Sequence, residues 1–111
     1  MVRRPEAEIQ MLRHVVLFTF QDETTEAQKQ AAADGLKALP GLIPEIRRYE
    51  LGRDAGLAAG NHDFALVADF DSEADFRAYA EHPEHMKVVV ELIKPVISGR
   101  VAVQYRLTDP R

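Results

Sequence analysis

The stretch Tyr79-Ala80-Glu81-His82-Pro83-Glu84-His85 gathers more groups able to move a proton than any other part of the chain. An imidazole, with a reference pKa near ~6.5, can act as a general base close to neutral pH. A tyrosine hydroxyl can donate to a carbonyl or to a developing enolate. The chain has four histidines: His14, His62, His82 and His85. His14 is a polar residue on an otherwise apolar strand face, so it points into the protein, where it needs a partner. A well-placed base is worth ~10²–10⁴-fold. That chemistry uses no metal and no redox cofactor.

Each residue also has a plainer reading. His85 can be a helix-start histidine bonded to the backbone or to Glu84. His14 can be a satisfied core histidine, and Tyr79 a packed helix residue with its hydroxyl at the surface. His82 reads as structural because it precedes Pro83, where the chain turns. His62 reads as a loop residue with no role. His82 and His85, with His14 or a carboxylate, have the spacing to share a metal, but no second ligand pair accompanies them. The segment from Gly52 to Gly60 lacks phosphate-loop spacing. No cofactor is expected.

The composition narrows the partners. The chain has 111 residues, 14 Lys and Arg against 18 Asp and Glu, and no cysteine. One domain fits that length. Without a thiol there is no disulfide scaffold, thiolate nucleophile or Cys-ligated metal. A net charge of −4 argues against nucleic acid and an anionic membrane surface. No run approaches the ~20 apolar residues of a membrane span. Arg3 and Arg4 are followed by Pro5-Glu6-Ala7-Glu8 rather than an apolar segment, unlike a secretory leader. The default expectation is a cytoplasmic protein with a flexible extension over 1–10 and one domain over 11–108.

Strands and helices must position these groups. Leu12–Phe20 is rich in β-branched and aromatic residues and reads as a strand. Both its faces are apolar from Val15 to Leu17, as for a strand covered on both sides. Thr25 and Gln28 have capping-box spacing for a helix to about Leu39, with Ala32, Gly35, Leu36 and Leu39 on one stripe. Pro40-Gly41 stops it. Ile46–Arg53 and Phe64–Phe70 read as strands around a long, mobile glycine-rich connection. Ser72 caps a helix to about Glu81. Pro83 opens another, whose Met86, Val89, Val90 and Ile93 read as a core stripe or equally as the wall of an apolar pocket; it extends toward Ile97 and ends near 95–99. Alternation from Val101 to Leu107 gives the last strand.

The order β-α-β-β-α-β is the ferredoxin-like α+β arrangement: a four-stranded antiparallel sheet with the helices on one face. The other face then needs a cover. The simplest is a second copy of the chain, giving a homodimer joined through its sheet faces.

At this point the residues resemble the stress-responsive A/B barrel domain (Dabb) family of the dimeric α+β barrel group. The resemblance covers roughly residues 11–107. Its marks are Leu12-Arg13-His14-Val15-Val16-Leu17-Phe18, Leu39-Pro40-Gly41-Leu42-Ile43-Pro44, Tyr49-Glu50-Leu51-Gly52-Arg53-Asp54, Phe70-Asp71-Ser72-Glu73, the Tyr79–His85 stretch, and Leu92-Ile93-Lys94-Pro95. It implies a ferredoxin-like protomer and a dimer built through the sheets. Some plant members are polyketide cyclases that close a poly-β-keto thioester by an intramolecular aldol step. Their base is the second histidine of His-Pro-x-His, which matches His85. The tyrosine before the motif matches Tyr79, and the strand-one histidine matches His14. Three functions follow as expectations: a cofactor-independent lyase or cyclase on a small apolar carbonyl compound, a non-catalytic stress-associated dimer binding a small apolar ligand, and a cofactor-independent monooxygenase.

Overall fold

A computed structural model describes residues 11–107. The extension expected over 1–10 lies outside the described residues. The elements run β1 (Met11–Phe20), α1 (Glu26–Lys37), a 3-10 turn (Leu39–Gly41), β2 (Ile46–Arg53), β3 (Phe64–Phe70), α2 (Glu73–Glu81), α3 (Pro83–Val88), a π-helical turn (Val89–Ile93) and β4 (Ile97–Leu107). The sheet order is β2-β3-β1-β4, with every neighbouring pair antiparallel. This is the expected ferredoxin-like α+β arrangement. Among the described residues no helix is long and apolar enough to cross a membrane.

Alternation in β1 divides the sheet into two faces. Leu12, His14, Val16, Phe18 and Phe20 are buried. Val16, Phe18 and Phe20 share a core with Phe64, Leu66, Ala68 and Phe70 of β3 and with Ala32, Ala33, Leu36, Tyr79 and Ile93 from the helical layer. Burying a side chain such as Phe70 contributes about 1.5–3 kcal/mol. α1 begins as its sequence dictates: the Thr25 hydroxyl accepts from the Gln28 amide, and the Gln28 side chain accepts in return from the Thr25 N–H. Gly35 lets the π-helical turn come close, because a Cβ there would meet Leu92 Cδ1 at 2.5 Å.

The opposite face is open in the protomer. β1 presents Arg13, Val15, Leu17 and Thr19 there, in register with Tyr105, Val103, Val101 and Gly99 of β4. Val101, Val103 and Tyr105 are all exposed. Arg13 forms a bidentate pair with the buried Asp69 at 2.7 and 2.8 Å, anchoring one end of this face.

The chain departs from the sequence reading in four places. Ile97 is the first residue of β4, so the last strand begins four residues before Val101 and the helical run ends at Ile93. Met86 and Val90 are exposed rather than part of a core stripe. α1 ends at Lys37, and Leu39 is buried from the 3-10 turn instead. The β2–β3 connection is organised by Asp54, whose carboxylate accepts from the Gly56 N–H and from Asn61 Nδ2. Gly56 and Gly60 supply its two positive-φ turns, at 76° and 83°.

Candidate functional site

The break at His82-Pro83 builds the site. A residue before proline is driven out of the helical region, and His82 is extended at φ −64°, ψ 135°. Had α2 continued, the Ala80 carbonyl would have received the Glu84 N–H. Instead the Glu84 N–H donates to His82 Nδ1 at 3.1 Å, which caps α3. The freed Ala80 carbonyl accepts from His85 Nδ1 at 3.0 Å. Two histidines thus replace the bonds that the proline break removed. His85 is folded back over α2, its ring 4.3 Å from that of Tyr79.

This bond sets the chemistry of His85. With Nδ1 donating, the neutral ring carries its lone pair on Nε2. Burial pushes the His85 pKa down; the Ala80 carbonyl opposes the shift, and the Arg100 and His82 charges reinforce it. The ring is neutral at pH 7.

His14 is held the opposite way round. It lies in the middle of β1, between Ala68 of β3 and Gln104 of β4. Gln104 Nε2 donates to His14 Nδ1 at 2.8 Å, so the neutral ring carries its proton on Nε2. Burial, then the charges of Arg100 and His85, push His14 down to about 4. One neutral histidine therefore offers a lone pair and the other an N–H.

Tyr79 is buried, not capped by solvent as its plainer reading expected. Its hydroxyl lies 2.9 Å from that of Tyr49 on β2. Its ring packs against Phe70 at 5.1 Å and His14 at 6.3 Å. Burial raises Tyr79 to about 12, opposed by Tyr49 and Arg100, and raises Tyr49 further. Both keep their protons at neutral pH. With Tyr49 as donor, the Tyr79 proton is left for the cavity.

His14, Tyr79 and His85 line one cavity of ≈ 270 Å³. Its walls include Val16, Phe18, Leu36, Leu66, Val89 and Ile93, and its exposed rim carries Lys94 and Arg100. The π turn, closed by the Lys94 N–H to the Val89 carbonyl at 2.8 Å, contributes Val89 and Ile93. Such turns often sit at functional sites. The arrangement can bind an apolar compound and place its acidic C–H between a base and two hydrogen-bond donors.

The other histidines stay outside this group. His82 caps α3, and His62 Nδ1 lies 2.8 Å from the Thr19 hydroxyl in the β2–β3 connection. Among the described residues no three His, Asp or Glu side chains form a metal cluster.

Sequence reasoning missed Tyr49, Gln104 and Arg100. Arg100 and Gln104 occupy β4 positions in register with Phe18 and His14, on the helix side of the sheet. The alternation of β4 is visible in the sequence, and the polar Arg100 and Gln104, four residues apart on one face, are the available signal. Only the register says which core residue each one meets.

Residues 12–107 match the family model described as Stress responsive A/B Barrel Domain. A stress-response A/B barrel domain-containing protein of Arabidopsis thaliana is 30% identical over 98 residues, 86% of this chain and 36% of that protein. The chain thus spans about a third of that relative's length. Olivetolic acid cyclase of Cannabis sativa is 26% identical over 77 residues, 68% of this chain and 76% of the cyclase. A dimeric ferredoxin-like protein of unknown function from Thermobifida fusca is 45% identical with a TM-score of 0.83, covering 90% of this chain and 93% of that one.

Proposed function

The chain belongs to the stress-responsive A/B barrel domain family, and on that premise we propose that it is a homodimeric, cofactor-independent lyase or cyclase acting on a small apolar carbonyl compound. The observation that carries this reading is the His85 Nδ1 bond to the Ala80 carbonyl, which leaves a neutral Nε2 lone pair beside an apolar cavity. In the reaction, His85 Nε2 removes a proton from the carbon between two carbonyls. Tyr79 O–H and His14 Nε2–H stabilise the enolate oxygen. The enolate carbon attacks a second carbonyl of the same molecule and a C–C bond forms. The resulting alkoxide takes the proton back from His85, so the base is regenerated. The cavity holds the flexible chain folded, which lowers the entropic part of the barrier. Similarity to olivetolic acid cyclase supports this class of chemistry.

Dimerisation through the open sheet face supports the same reading. Exposed Val101, Val103 and Tyr105 lie beside Val15 and Leu17 in an apolar surface that a second copy would cover. The related Thermobifida fusca protein is described as dimeric.

The test is turnover of a panel of β-keto thioesters and keto acids, read by mass spectrometry, for the wild type and His85→Ala. A loss of ~10²-fold or more is expected; equal turnover overturns the assignment. A second reading, a non-catalytic binding dimer, draws on the structural bonds that already engage Nδ1 of both His14 and His85. It predicts no turnover by the wild type and a change only in thermal stability for His85→Ala and Tyr79→Phe.

A further inference from the structure

The cavity rim has a charge that the proposed chemistry does not use. Arg100 and Lys94 both line the cavity, both are exposed, and no Asp or Glu lines it. Among the described residues neither cation makes an ion pair or a side-chain hydrogen bond, whereas Arg13, Arg47, Arg48, Arg53, Arg77 and Arg106 each hold a carboxylate. The chain as a whole carries −4. Two unpaired cations at the mouth of an apolar cavity run against that background.

The two ends of the cavity are chemically distinct. Its inner wall holds apolar side chains with the neutral His14, His85 and Tyr79, where a charged group would be desolvated without a counter-ion. Its rim holds a planar guanidinium fork and an ammonium. A guanidinium fork matches a carboxylate in a bidentate bond, and an ammonium adds a point charge. The cavity, at ≈ 270 Å³, lies near the lower end of small-molecule pockets, about 300 Å³, and so suits a small apolar body.

We infer that the cavity takes an amphipathic carboxylate, its apolar body inside and its carboxylate held at the rim by Arg100 with Lys94 assisting. This rests on the cavity being the site and deepens that reading: the carbonyl compound is a keto acid rather than a neutral ester or thioester. Arg100 is then a specificity-determining residue that selects anionic over neutral ligands. It takes no part in moving the proton.

The experiment is a titration of full-length protein with octanoate and with its neutral isostere octanamide, below micelle-forming concentrations. The imidazole proton resonances of His14 and His85 report occupancy. Octanoate is expected to bind roughly ten- to hundredfold more tightly than octanamide, the range of a charge-assisted bond. Arg100→Gln should remove most of that difference and leave octanamide unchanged. Arg100→Lys, which keeps the charge and loses the fork, should fall between. Raising the salt concentration should weaken octanoate alone. Equal binding of the two ligands by the wild type, or octanoate binding unaffected by Arg100→Gln, overturns the carboxylate assignment while the cavity reading stands. If neither ligand moves the His14 and His85 resonances, the cavity reading itself fails.

Discussion

His85 Nδ1 donates to the carbonyl of Ala80 across 3.0 Å, closing the end of α2 with a side chain that also lines the cavity. The same bond that satisfies an orphaned carbonyl fixes the tautomer. A structural bond at Nδ1 and a free lone pair on Nε2 therefore belong to one ring.

The first prediction concerns pH and rate. A base must be neutral, and burial holds His85 below its ordinary range. The kcat/KM profile should be flat at and above the ordinary histidine pKa of ~6.5 and fall only on the acid side of it. Arg100 also lowers His85, so Arg100→Gln should move the acid limb to higher pH. A pH–rate profile with a neutral keto ester separates this shift from any loss of anion binding. An unmoved limb would show that the Arg100 charge does not reach His85.

The second concerns the hydroxyl pair. Tyr79→Phe leaves the Tyr49 hydroxyl without its buried partner, a loss of about 1–3 kcal/mol. Tyr49→Phe removes that hydroxyl and keeps the ring. It should lower stability by about 1 kcal/mol and also raise the Tyr79 pKa, because Tyr49 holds it down. Denaturant unfolding measures the first effect and ultraviolet titration of the phenol the second.

The third concerns acid stability. Folding lowers His14 from 6.5 to about 4, so between those values the unfolded chain binds more protons. Stability from neutral His14 is fully present above ~6.5 and is lost as pH falls toward ~4. The loss from this group reaches about 3 kcal/mol. Glu73, lowered by Arg77 and Arg106, loses stabilisation in the same direction at lower pH. Unfolding midpoints from pH 7 to 4 should fall steeply for the wild type and less for His14→Gln.

The fourth concerns assembly. Val103 lies on the open sheet face, opposite Val15. Val103→Asp would bury a carboxylate in a dimer interface and leave the protomer core untouched. Light scattering should show two chains for the wild type and one for the variant. A single-chain mass for the wild type at micromolar concentration would exclude the sheet-face dimer.

Much of this fold was readable from local chemistry. Thr25 and Gln28 announce α1, Ser72 announces α2, and Pro83 dictates the break that folds His85 back onto Tyr79. Alternation in β1 assigned His14 to the buried face. These signals survive without tertiary context because capping, proline sterics and strand period act within a few residues. What the sequence could not disclose was pairing. Gln104 reaches His14 from ninety residues away, Tyr49 of β2 meets Tyr79 of α2, and Arg100 comes to the rim through the β1–β4 register. The helical end was also misread, because Met86, Val90 and Ile97 are apolar whether a helix continues or a π turn hands over to a strand. Residue types alone made His85, Tyr79 and His14 candidates. Tertiary structure decided which nitrogen of each imidazole carries the proton and which charge faces the cavity, because those depend on partners brought together only by the sheet.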